Sequence, residues 1–272
     1  MIRLSSLIET FEADYLAHYG DAVLPSQHKA LSALKICRTS AAPVMQAHCA
    51  ACDHVEWVPH SCGHRSCPHC QHHESQRWIE RQQARQVPAE YVLVTFTLPA
   101  SLRPLAWAKQ RTFYDLMTRS AWETLRTFAR NDGELGGEAG AIAVMHTHSR
   151  RLDYHPHVHV VMPAAAIDAE RQRWRTKRRG KRGAGKGRYL FSHNALAKVF
   201  RGKLLAAVTA AGLVLPPSYP QAWVVDCKPV GSGEKALVYL GRYLYRGVIR
   251  EQDILCLLYT SPSPRDQREH LV

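Results

Sequence analysis

The chain has 272 residues, of which 46% are hydrophobic and 22% charged, the balance of a globular protein with a core rather than a disordered one. That length fits one large or two small domains. Lys and Arg total 36 against 23 acids, a net charge of +13, which favours polyanionic partners, nucleic acid first. No apolar run reaches the roughly 18 residues of a membrane span, and the N-terminal MIRLSSLIETFEADY carries acids where a signal peptide is apolar. A soluble, cytoplasmic protein with no membrane partner is expected.

Residues 1–40 are expected to be helical, since Leu4, Leu7, Ile8, Phe11 and Tyr15 recur at helical spacing. Residues 45–75 are rich in Cys and His and too short to bury a core of their own, so a small metal-held module is expected there. A helix over 76–87 leaves it. Residues 90–250 read as one α+β domain. Its strands are predicted at 91–98, where Pro99 stops the run, and at 142–148, 157–162 and 223–227. Its helices are predicted at 104–131, from a Ser192 N-cap to about 211, and at 234–249. The fold class expected is α+β, a zinc-ribbon-like module over 1–88 and a domain with a central antiparallel sheet over 89–254. Residues 255–272 (LCLLYTSPSPRDQREHLV) abandon amphipathic periodicity and are expected to be foreign to the fold.

Six of the eight cysteines precede residue 71. Close pairing in a chain read as intracellular points to metal rather than disulfides. Cys49-x2-Cys52 and Cys67-x2-Cys70 are separated by fourteen residues. Two such knuckles place four thiolates around one Zn²⁺, a structural ion because four thiolates leave no open position. Cys62 and His64 lie between the knuckles and are candidates to replace a ligand. Cys37, His48, His54, His60, His69, His72 and His73 are expected to be bystanders. The competing readings are buried thiols, a redox pair, or a second ion among the histidines.

His155, His157 and His159 alternate through HPHVHVVMP. Side chains at i and i+2 of a strand share a face, so two imidazoles there can clasp one divalent ion and leave positions open for a phosphate oxygen. His146 and His148 alternate on the preceding strand, and parity alone does not choose between them as a third ligand. Tyr239 and Tyr243 stand at i and i+4, one turn apart on one side of a helix. They are either core aromatics beside Leu237, Leu240 and Leu244 or a pair of phenol nucleophiles able to store a phosphodiester bond as phosphotyrosine. A histidine-held cation and two phenols together describe a metal-assisted transesterase.

With these residues in order, the chain resembles the rolling-circle HUH transposases with two tyrosines, of the insertion-sequence-91 type. The matching segments are Cys37-Arg38-Thr39, Cys49–Cys52, Ser61-Cys62 leading to Arg65-Ser66-Cys67-Pro68-His69-Cys70, Phe96-Thr97-Leu98-Pro99, His146-Thr147, His155-Pro156-His157-Val158-His159 and Tyr239-Leu240-Gly241-Arg242-Tyr243. They span residues 1 to about 250. The resemblance implies an HUH endonuclease domain in which His157 and His159, with His146 as a third candidate, hold Mg²⁺ or Mn²⁺. It implies Tyr239 and Tyr243 as the nucleophiles that nick single-stranded DNA at transposon ends and keep the 5′ end on tyrosine. It also implies a structural Zn²⁺ in the N-terminal module and a nucleoid-associated location. Gly63, His64, Ser66 and His148 depart from the family pattern, and family members continue beyond the tyrosines.

RQRWRTKRRGKRGAGKGR (171–188) holds ten Lys or Arg and no acid. Arg171, Arg173, Trp174, Arg175, Lys177, Arg178, Arg179, Lys181 and Arg182 are candidate DNA contacts in a flexible loop: the cations for phosphates, the indole for an unpaired base. GSGEK (231–235) lacks P-loop spacing and reads as a turn. The rival functions are a plasmid replication initiator or relaxase of the same chemistry, a zinc-stabilised DNA-binding protein without catalysis, and an inactive truncated remnant.

Overall fold

A computed structural model describes residues 2–67, 70–149, 153–177 and 190–245, the side chains of 73, 243 and 245 excepted. The tail expected to be foreign lies outside them. The chain forms two compact units, Met1–Arg81 with the chain from Gly241, and Gln82–Leu240. Among the described residues no helix is long and apolar enough to cross a membrane.

The first unit opens with two helices, α1 (Leu4–Tyr19) and α2 (Pro25–Ile36), joined through a 3₁₀ turn at Gly20–Ala22. Pro25 fits the first turn of α2 because it has no amide to leave unpaired. Gln27 accepts the Leu24 amide at 2.7 Å in front of it. The two helices pack on each other and are tied by a Lys35–Glu12 ion pair. An antiparallel hairpin follows, β1 (Val44–His48) and β2 (Val55–Pro59), in register Val44↔Pro59 to His48↔Val55. Val44, Met45, Val55 and Trp57 on it are all exposed. Apolar burial therefore does not hold this hairpin in place, which is the situation in which small modules use metal. Helix α3 (Cys70–Gln83) starts at Cys70, six residues earlier than expected.

The second unit is built on a four-stranded antiparallel sheet in the order β4-β5-β3-β8, with β3 Tyr91–Thr97, β4 Ile142–His148, β5 Tyr154–Pro163 and β8 Val225–Pro229. The expected helix over 104–131 is divided at Lys109 into α4 (Arg103–Ala108) and the long α5 (Gln110–Asn131). Helix α6 (His193–Ala210) starts at Ser192, whose hydroxyl accepts the Ala195 amide as expected. Strand β5 begins three residues earlier than expected and takes in His155 and Pro156.

Strand alternation divides the sheet. Val94 and Phe96 of β3 and Val158, Val160 and Met162 of β5 are fully buried together with Phe113, Met117 and Leu125 of α5 and Phe200 and Leu204 of α6. The Phe96 and Phe200 rings lie 4.8 Å apart. Each such side chain contributes about 1.5–3 kcal/mol by leaving water. The intervening positions, Thr95 and Thr97 on β3 and His157 and His159 on β5, point the other way and are paired by register, Thr95↔His159 and Thr97↔His157.

A small hairpin absent from the sequence reading, β6 (Ala165–Asp168) with β7 (Arg173–Thr176), follows β5. It takes up the start of the basic run, which is strand there rather than free loop. Helix α7 (Glu234–Tyr245) closes the described chain. Gly233 before it has φ +83°, and a Cβ there would lie 2.7 Å from the Tyr91 ring, so only glycine fits.

Candidate active site and metal centres

Two clusters of ligand-bearing side chains occur among the described residues, Cys37, Cys62, Cys67 and Cys70, and His146, His157 and His159; within each, the ligand atoms lie within 4.8 Å of one another. The structure groups the thiols differently from their spacing in sequence. It brings Cys67 and Cys70 together with Cys62, a candidate to replace a ligand, and Cys37, expected to be a bystander, and does not bring Cys49 and Cys52 to them. The hairpin explains this. His60 donates its amide to the Pro43 carbonyl at 2.6 Å at the open end, close in sequence to Cys37 and Cys62. Cys49 and Cys52 sit at the closed end, exposed and hydrogen-bonded to each other, about 13 Å away along the strands.

The four thiols fit a tetrahedral ion. Sγ of Cys37 is 3.5 Å from Sγ of both Cys67 and Cys70, and Sγ of Cys62 is 3.6 Å from that of Cys70. A zinc tetrahedron with 2.3 Å arms has edges of about 3.8 Å. The His64 amide reaches the Cys62 sulfur at 3.5 Å, and Gly63 takes the positive φ of 61° that this turn needs. Burial pushes the Cys62 thiol up to about 11. Burial acts the same way on Cys70, but hydrogen bonds from Cys37, Gly63, Cys62 and Cys67 outweigh it and bring that thiol down to about 7.

The histidine cluster stands on the sheet face turned away from the α5–α6 core. His157 and His146 are directly opposite in register, and the ladder shifts between His146 and His148. That bulge resolves the parity ambiguity: His146 is 1% exposed and joins the cluster, while His148 is turned out to solvent. Ring centroids are 5.1 Å apart for His146–His157, 4.4 Å for His146–His159 and 4.8 Å for His157–His159.

Two partners orient the rings. His157 Nδ1 donates to the His155 carbonyl at 2.6 Å, which leaves its Nε2 lone pair for a ligand. His159 Nδ1 is 2.9 Å from the Thr95 hydroxyl. Burial, reinforced by the other imidazoles, holds His146 far below the usual range and His159 at about 4. Burial also lowers His157, although the His155 carbonyl opposes it. All three rings are neutral at physiological pH, as metal coordination requires.

Tyr239, 44% exposed on α7, brings its ring to 5.9 Å from His159 and 6.1 Å from His146. Leu237 and Leu240 of that helix are buried while Leu244 is exposed, so the core reading of the helix applies to those two leucines and not to Leu244 or Tyr239. Tyr243 is one turn further along, and its side chain lies outside the described residues. Of the basic candidates, Arg173 and Trp174 are exposed on β7. Arg171 and Arg175 share Asp168 at 3.4 and 3.9 Å, and Lys177 pairs with Asp132, so part of that charge is neutralised within the fold. Arg178, Arg179, Lys181 and Arg182 lie outside the described residues.

With this geometry in hand, two family models match the chain. One, an IS91-type model described as a transposase zinc-binding domain, matches residues 7–98. The other, described as "Putative transposase", matches residues 140–261. "Putative transposase y4qJ" of Sinorhizobium fredii is 32% identical over 87% of this chain and 65% of its own. The transposase for insertion sequence element IS801 of Pseudomonas savastanoi pv. phaseolicola is 34% identical over 49% of this chain and 32% of its own. The chain thus spans about two thirds or less of these relatives. Solved structures of the conjugative relaxase TrwC in complex with OriT DNA align with about half of each chain, at 17% identity and a TM-score of 0.36 for the metal-bound form.

Proposed function

We propose that this chain, a member of the IS91-type transposase family, nicks and rejoins single-stranded DNA at transposon ends by tyrosine transesterification through a 5′-phosphotyrosine. The observation that carries this reading is the approach of the Tyr239 ring to within about 6 Å of two of three clustered, neutral imidazoles. His146, His157 and His159 would hold Mg²⁺ or Mn²⁺. Such an ion supplies charge withdrawal from the scissile phosphate and leaves room for its oxygens.

Tyr239 Oη attacks phosphorus and gives up its proton. The P–O3′ bond breaks, and the leaving 3′ oxygen takes up a proton as a free hydroxyl. The 5′ phosphate stays on the phenol. Rejoining runs the same exchange backward, with a 3′ hydroxyl as attacker. Tyr243, one turn away, is the second nucleophile, so that two strand ends can be held in one event. Thr95 and the His155 carbonyl fix the His159 and His157 rings, and Arg173 with Trp174 takes up DNA flanking the site. Cys37, Cys62, Cys67 and Cys70 hold a structural Zn²⁺. The setting is the cytoplasm, on the nucleoid.

The test is a denaturing gel of protein with labelled single-stranded DNA from a sequence pool, with and without Mg²⁺ or Mn²⁺. The expected result is a metal-dependent covalent adduct that Tyr239→Phe plus Tyr243→Phe abolishes. Salt-sensitive DNA binding with no adduct would instead indicate a DNA-binding protein without catalysis.

A further inference from the structure

Beside the histidine cluster lies an exposed aromatic and basic strip that the transesterification chemistry leaves unused. Trp107 on α4 is 60% exposed, yet its ring is seated edge-on against Tyr154 of β5, with centroids 4.9 Å apart at 81°. Tyr154 is itself fixed, its hydroxyl 2.8 Å from that of Tyr114 on α5. The exposed His148 ring lies 6.3 Å from that of Tyr154. One helical turn before Trp107, on the same side of α4, Arg103 donates Nη2 to His155 Nδ1 at 2.6 Å. A guanidinium only donates, so His155 accepts there. The His155 ring is 5.4 Å from that of His157.

Arg103 and His155 thus connect α4 to the histidine cluster, and Trp107 stands one turn further along the same helix against Tyr154, which packs on the core side of β5, all of it within one compact unit. Its surroundings are basic: Lys109 and Arg111 follow Trp107 and are exposed. The neighbouring acid, Asp153, receives the Ser149 hydroxyl at 3.4 Å.

A lone exposed tryptophan needs no explanation. This one is different in being pre-positioned: its ring is buttressed by Tyr154 although the residue is largely exposed, and a cation stands one turn away. We propose that Trp107, buttressed by Tyr154 and flanked by Arg103, is a stacking ledge for an unpaired base next to the phosphate at the histidine cluster. Single-stranded DNA is the partner that fits. Its bases have free π-faces, whereas those of a duplex are covered by their neighbours, and stacking on an aromatic ring is worth about 1–3 kcal/mol per base. The inference rests on the single-strand substrate named above, and it adds a binding residue outside the basic run.

The test uses the full chain without added divalent cation and reads fluorescence anisotropy of labelled oligothymidylate and of a duplex. Trp107→Ala is expected to weaken single-strand binding by about 5- to 150-fold, the range that stacking energy converts to. Duplex binding should stay within a factor of two or so, and the salt slope should not change, because no phosphate contact is removed. Trp107→Phe should restore most of the loss, which also controls for folding. Unchanged single-strand affinity in Trp107→Ala, or an equal loss on both DNAs, overturns the ledge. The covalent-adduct gel separates the two readings. A wild-type adduct with normal binding by Trp107→Ala removes the ledge alone. Selective single-strand loss with no wild-type adduct keeps the ledge and removes the transesterase.

Discussion

Thr95 on β3 faces His159 on the adjacent β5, with its hydroxyl 2.9 Å from His159 Nδ1. The hydroxyl sets which way the imidazole turns and holds its Nε2 toward the other two histidines. Groups that orient a metal-bound histidine typically change metal affinity by 10- to 100-fold when lost. Thr95→Val preserves shape and β-propensity and removes only the hydroxyl. It is expected to weaken Mn²⁺ binding by that factor, measured by calorimetric titration, with the unfolding midpoint little changed. Wild-type affinity in Thr95→Val would mean the ring is held by packing alone.

The thiol cluster makes a prediction about metal content. Cys37→Ser or Cys62→Ser is expected to lose the structural zinc, and Cys49→Ser or Cys52→Ser to retain it, by elemental analysis of purified protein. A thiolate-held zinc contributes folding energy outright, so the first pair should also unfold the hairpin module. Retention by the first pair and loss by the second would restore the two-knuckle ligand set that spacing alone suggests.

In the metal-free protein the buried histidines link stability to pH. His159 titrates near 4 in the fold against 6.5 when free, and His146 and His157 shift the same way. Above pH 6.5 neither state binds the proton. As pH falls from 6.5 toward 4 the unfolded chain becomes protonated and the folded one does not, so stability is lost across that window; the His159 share levels off below it, while His146, shifted further, goes on losing stability. His159 alone accounts for up to about 3 kcal/mol. Denaturant melts at pH 7 and 4.5 should show the drop, and His159→Gln should make it smaller by the His159 share, with the His146 and His157 shares remaining.

Gly233 positions the tyrosine helix. A side chain there meets the Tyr91 ring at 2.7 Å in a backbone conformation of φ +83°. Gly233→Ala is expected to cost about 1–3 kcal/mol and to lower adduct yield, as α7 moves Tyr239 away from the histidines. A Gly233→Ala protein with a wild-type melting temperature and adduct yield would show that α7 tolerates the shift.

Much of the site was legible in the sequence because strand and helix periodicity are local. His157 and His159 share a face by alternation, and Tyr239 and Tyr243 stand one turn apart by helical geometry. What was missed depends on where segments meet. Knuckle spacing indicates which cysteines turn together, not which knuckles meet. The Val44↔Pro59 pairing decides that, by keeping Cys49 and Cys52 at the far end of the hairpin from Cys37 and Cys62. The choice of His146 over His148 depends on a bulge that has no residue signature. The β6–β7 hairpin is concealed by its own charge, since Arg173 and Arg175 look like solvated loop until Asp168 is seen beside Arg175. His155 and Pro156 looked like a strand end, yet the Pro156 carbonyl accepts the Leu98 amide at 3.1 Å and the segment continues the ladder.

The alternation of β3 has a consequence for how this protein responds to substitution. Val94 and Phe96 face carbon, while Thr95 and Thr97 face imidazole. Changes at the first pair alter how firmly the molecule holds together, and changes at the second alter what it does. Neighbours in sequence thus belong to separate mutational compartments. Substitutions that face the imidazoles are therefore expected to change metal binding one residue at a time while the hydrocarbon layer a strand's thickness away is left as it was.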